Sequence, residues 1–115
     1  MLKASLRRAW RRDLFALRTE CPPLLPVRVR LAPGPSQHFG LTNLSRDRGH
    51  FNLTLYRTIV ERDGTVRAVT RQELLDALVH EWAHALSWAT TQSLEAHDPA
   101  WGVVYARCYQ ATCED

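Results

Sequence analysis

No apolar run in the 115-residue sequence approaches the roughly 20 residues that a membrane-spanning helix needs, so no such span is expected. Its three cysteines, Cys21, Cys108 and Cys113, are odd in number and form no C-x-x-C pair. That excludes a recognisable disulfide framework and points to a reducing, cytoplasmic compartment. The first twelve residues scatter Lys3, Arg7, Arg8, Arg11 and Arg12 through the segment and leave no uninterrupted apolar stretch, which excludes a secretory signal. Internal repeats, low-complexity tracts and interdomain linkers are also missing. A chain of this length supports one hydrophobic core and not two, so a single domain over residues 1–115 is expected.

What is present is ordinary in bulk and uneven in placement. The composition is 45% hydrophobic and 23% charged, as in globular proteins generally. The net charge of +3 hides an asymmetry: residues 1–57 carry 11 basic and 3 acidic side chains (+8), and residues 58–115 carry 4 basic and 9 acidic ones (−5). A basic half can attract DNA or another polyanion, and it can equally be a solvated face folded against an acidic half.

Residues 2–18 read as an amphipathic helix, with Leu2, Leu6, Ala9, Trp10, Leu14 and Leu17 at three- and four-residue spacings. Cys21-Pro22-Pro23 ends it, because proline disfavours helical geometry at the residue before it and cannot donate to the ladder. Val27 to Leu31 alternates as a half-buried strand, residues 39–44 suit a second, and His50 to Arg57 is the clearest strand. Loops this short predict antiparallel pairing. Asp63-Gly64 suggests a small hairpin between Ile59-Val60 and Val66 to Val69. Trp101 to Cys113 carries apolar residues at helical spacing and should pack on the preceding helix, with Cys108 and Cys113 as thiols rather than ligands.

That preceding helix holds the chemistry. Thr70-Arg71-Gln72-Glu73 is a capping box that fixes its start, and an apolar pattern runs on to about Ala89. Within it, His80-Glu81-Trp82-Ala83-His84 is an H-E-x-x-H sequence. Such a pattern arises by chance in on the order of 1% of shuffled sequences of this composition. A lone histidine among apolar neighbours is usually a hydrogen-bonded core residue. Two at i and i+4, with a glutamate after the first, would bury several polar groups unless a metal satisfied them. His80 and His84 therefore read as zinc ligands, and Glu81 as the base that takes a proton from water activated there.

A catalytic zinc needs a third protein ligand. His97 precedes Asp98, a plausible N-cap, and Pro99, at the favoured first position of a helix; Glu95 lies close by and is chemically competent too. His80-Glu81-Trp82-Ala83-His84, a short gap and then His97-Asp98-Pro99-Ala100-Trp101 resemble the SprT/Spartan-type minimal metalloproteases. Those proteins pair H-E-x-x-H with a downstream histidine, a small or acidic residue and a nearby aromatic. The resemblance covers most of the chain through the order helix, small sheet, active helix, C-terminal helix. It implies an α+β, zincin-like domain with an antiparallel sheet of three to four strands. It also implies zinc on His80, His84 and His97 with Glu81 as general base, and a protein or peptide substrate. In the gluzincin branch of H-E-x-x-H proteins a glutamate is the third ligand, the role Glu95 would take here. Many SprT-like relatives carry a cysteine zinc ribbon after the protease core; here only Cys108 and Cys113 follow the motif residues, so no ribbon is expected.

The expected activity is a zinc-dependent endopeptidase. Its substrate would add as a strand to an exposed sheet edge, with residues 50–57 lining the cleft. Tyr105, Tyr109, Tyr56 and His50 are unranked candidates for a donor to the developing oxyanion. Asp76 and Asp98 are candidates to hold a ligand's free ring N–H. The tryptophans read as core packing. The alternatives are a non-catalytic zinc-containing module, which has no need of Glu81, and a nucleic-acid-binding module with core histidines.

Overall fold

The structure is a computed structural model that describes residues 4–91, 93, 94 and 96–113. Helix α1, Ala4–Glu20, buries Ala9, Trp10 and Leu17 as the spacing predicts, and Asp13, which the apolar spacing did not include, with them. It stops where expected: Cys21 N donates to Leu17 O at 2.8 Å, and two prolines follow. Strands β1 (Val27–Ala32), β2 (Gly40–Leu44) and β3 (Phe51–Tyr56) form one sheet, while β4 (Thr58–Val60) and β5 (Val66–Ala68) form the small antiparallel hairpin. Helices α2 (Arg71–Thr91) and α3 (Pro99–Thr112) complete an α+β architecture. Among the described residues no helix is long and apolar enough to cross a membrane.

The sheet corrects one expectation. β2 and β3 pair antiparallel, with Thr42 opposite Leu53, but β1 and β3 pair parallel, with Val29 opposite Leu53. The strand order β1-β3-β2 explains it. β3 enters between the earlier strands, so its short link to β2 gives an antiparallel pair and leaves β1, which runs against β2, parallel to β3. The centre suits β3 because it is the most continuously buried strand, with Phe51, Leu53, Thr54 and Leu55 all enclosed.

The inner face of the sheet, with Phe51, Leu53 and Leu55, packs on α2 through Leu74, Leu78 and Ala85 in a common core. On its other sides α2 meets α3 and α1. The capping box forms as read: Thr70 Oγ1 accepts from Glu73 N at 3.2 Å, and Thr70 N donates to Glu73 Oε1 at 2.9 Å. Arg67 of β5 pairs with Glu61 and donates to both Glu73 oxygens at 2.8 Å, tying the hairpin to the start of α2. In the middle of α2, buried Trp82 donates its indole N–H to Cys21 O at 2.9 Å. The outer face of the sheet presents Arg28, Arg30, Asn43 and Asn52 around a shallow hollow of about 440 Å³ that, among the described residues, no acidic side chain lines.

Candidate metal centre

Two turns of α2 and the loop before α3 bring three imidazoles to one point. His80 and His84 are one helical turn apart on one face of α2. His97 is set by the start of α3, where Asp98 is the N-cap, its Oδ1 accepting from Trp101 N at 2.9 Å, with Pro99 at the first helical position. The three Nε2 atoms form a nearly equilateral triangle: 3.3 Å between His80 and His84, 3.1 Å between His84 and His97, and 3.2 Å between His97 and His80. They lie close enough together to hold a metal ion. Trp101 backs all three rings, stacking on His84 at 5.2 Å and meeting His80 and His97 at 5.0 and 4.7 Å.

The donor set fits a metal by two arguments. A tetrahedral ion held at about 2.0–2.1 Å places its nitrogen ligands about 3.3 Å apart, which is the side of this triangle. Hydrogen bonding among the three cannot account for it. Each Nε2 either donates or accepts, so at least two are alike, and at least one contact would set proton against proton or lone pair against lone pair. A central cation removes that conflict. Burial and the neighbouring imidazoles hold the His84 pKa down to about 4, and burial, with His97, lowers that of His80. Both shifts favour the neutral ring, the form that ligates.

Glu81 lies beside this triangle on the floor of a cleft of about 460 Å³. Its Oε1 accepts from Thr42 Oγ1 at 2.7 Å, which leaves Oε2 turned to the metal side, 4.0 Å from His80 Nε2. Burial raises the Glu81 pKa, and the Thr42 hydroxyl opposes that rise. Gly40 makes room for the carboxylate: a Cβ there would stand 2.8 Å from Glu81 Cγ and 2.6 Å from Leu55 Cδ2. Gly40 and Thr42 were not singled out in the sequence. Their only trace there is a glycine two residues before a small polar residue in a short strand.

Other sequence candidates separate by position. Tyr105 lines the cleft, 6.1 Å from His80 between ring centres, and its hydroxyl pKa is raised by burial first and by Asp76 and Tyr109 after it. Tyr109 is one turn further along α3 and 48% exposed. Tyr56 alternates onto the outer face of the sheet, and His50 pairs with Asn52 Oδ1 at 3.1 Å; neither lines the cleft. Neither proposed second-layer carboxylate bonds a ligand ring among the described residues. Asp76 accepts from Gln72 Nε2 at 2.7 Å and Asp98 caps α3, while the buried His84 Nδ1 has no partner among the described residues. Glu95 lies outside the described residues. Residues 50–57 do not line the cleft either, because β3 is flanked on both sides; its strand wall is the segment from Gln37 to Gly40 at the start of the edge strand β2. Trp82 and Trp10 are core residues as read, but Trp101 belongs to the site.

Set against family models, curated proteins and solved structures, the chain matches none, so the arrangement of His80, His84, His97 and Glu81 is what speaks for its chemistry.

Proposed function

We propose that the protein is a zinc-dependent metallopeptidase of the SprT/Spartan type, with His80, His84 and His97 as ligands and Glu81 as general base. One observation carries the reading: a carboxylate with one oxygen fixed by Thr42 and the other free sits beside three convergent imidazoles at the floor of an open cleft. A purely structural metal site has no use for such a base. Zinc held there by His80, His84 and His97 would supply a Lewis acid that makes water acidic enough to yield its proton near neutral pH. Glu81 accepts a proton at Oε2 and returns it to the leaving amine, and its raised pKa suits both transfers. Tyr105 is the cleft-lining hydroxyl best placed to donate to the developing oxyanion.

The edge of β2 offers the substrate a docking line. Ser45 N bonds His50 O and Tyr56 N bonds Phe39 O, so the odd-numbered positions from Phe39 to Ser45 turn their backbone groups to β3. Gly40, Thr42 and Leu44 therefore turn theirs to the open edge, where an extended peptide can pair irrespective of its sequence.

The deciding measurement is cleavage of an unfolded protein by wild type and Glu81→Gln at matched zinc content. The expected result is one zinc per chain in both and a rate loss of about 10²–10⁴-fold in the variant. Equal rates would overturn the mechanism. No cleavage by either would favour a non-catalytic module, for which the basic hollow at Arg28 and Arg30 supplies a second reading, contact with a polyanion.

A further inference from the structure

The chain carries 15 Lys and Arg residues, yet among the described residues none lines the cleft; the basic groups there are His80 and, on the strand wall, His38. Among the described residues three carboxylates line it: Glu73, Asp76 and Glu81. Glu73 is committed to Arg67 and the Thr70 amide, and the Arg67 guanidinium chiefly holds its pKa down to about 2. Glu81 is held by Thr42 at the metal end. Asp76 differs: it is exposed, its one hydrogen bond comes from a neutral amide of Gln72, and among the described residues it forms no ion pair. From α3, Tyr105 lines the same cleft, its ring stacked on Trp101 at 4.9 Å and 9° and thereby fixed in orientation.

We infer that this end of the cleft is a subsite for a basic side chain of the substrate, its guanidinium or ammonium group held between the Asp76 carboxylate and the Tyr105 ring. The inference deepens the peptidase reading and rests on it. A carboxylate beside a fixed aromatic face is complementary to a cation twice over, by charge and by the ring quadrupole. Asp76 and Tyr105 line the same cleft, one from α2 and the other from α3. Asp76 is one turn from His80, about 6 Å along α2. An extended peptide advances about 3.3 Å per residue, so the cation belongs to a residue one or two positions from the bond at the metal. The site therefore selects unfolded segments rich in Arg or Lys, while pairing along β2 leaves the rest of the sequence unspecified.

The test uses zinc-loaded Glu81→Gln protein and two peptides, acetyl-Ala-Ala-Arg-Ala-Ala-amide and the same peptide with neutral citrulline in place of arginine. Fluorescence titration should give about three- to tenfold tighter binding of the arginine peptide. Asp76→Asn should abolish that ratio, Tyr105→Leu should reduce it, Tyr105→Phe should keep it, and Asp76→Lys should turn the preference toward a glutamate peptide. Equal affinities, no binding of the arginine peptide at millimolar concentration, or a ratio unchanged in Asp76→Asn would overturn the subsite. A preference in binding with no cleavage by wild type would remove the peptidase reading and keep the subsite. Cleavage by wild type with equal affinities would do the reverse.

Discussion

The two walls of the cleft are built differently. On the helical side, α2 supplies His80, His84, Glu81 and Asp76 and the α3 cap delivers His97, three imidazoles close enough together to hold a metal ion. The strand wall supplies no ligand, only room and one hydroxyl: Gly40 leaves space for Glu81, and Thr42 fixes one of its oxygens. The helical wall thus defines what can be bound. The strand side, through Thr42, 39 residues from Glu81 in sequence, sets how the Glu81 carboxylate is aimed. Binding and aiming should fail separately, which makes the comparison testable.

The largest effect is expected on the helical wall. Replacing His84, the buried member of the trio, with alanine should reduce bound metal from one per chain to near zero by elemental analysis, and His97→Ala should do the same or nearly so. Metal retained in His97→Ala would transfer the third-ligand role elsewhere, Glu95 being the sequence alternative. Next comes the strand wall: Gly40→Val should leave metal content intact while lowering activity more than tenfold, because its side chain must displace either Glu81 or Leu55. Loss of metal in Gly40→Val would show that the walls are not independent.

Thr42→Val is subtler. Its hydroxyl holds the Glu81 pKa down against burial, so its loss should raise that pKa further. A base works ionised, so the acid limb of the pH–rate profile should move to higher pH, with a several-fold rate loss at the optimum. An unmoved acid limb would remove Thr42 from the aiming role. The smallest effect concerns the metal-free protein. His84 is held to about 4 in the folded state against about 6.5 unfolded, so between those values the unfolded chain binds more protons. Stability should be fully present above about pH 6.5 and fall as pH drops towards 4. His84→Gln should flatten that slope in urea titrations, and bound metal should mask it until protons displace the ion.

Most of the helical wall was legible in the sequence because its logic is local. The i, i+4 spacing of His80 and His84, the box from Thr70 to Glu73 and the Asp98-Pro99 start of α3 each sit within a few residues. The α+β order of elements followed from the same local patterns. What could not be read was lateral. Nothing local says that β3 inserts between β1 and β2, and the all-antiparallel sheet and the role of residues 50–57 in the cleft both fell on that point. Thr42 and Gly40 meet Glu81 only because β2 becomes the edge over α2. Trp101 read as an aromatic of a motif or as core, and its contact with all three rings needed the α3 cap to be placed first.

Trp82 lies two residues after His80 and two before His84, so at about 100° per residue it points away from the ligands on either side. Its indole is tethered to the Cys21 carbonyl, just past the end of α1. A helix held by apolar contacts alone can roll about its own axis, and a roll of 20° at the radius of an imidazole nitrogen would displace it by about 2 Å. The tether acts as an index pin: it fixes the angular setting of α2 from behind, so the tolerance of the metal triangle in front is set at the junction of α1 and β1.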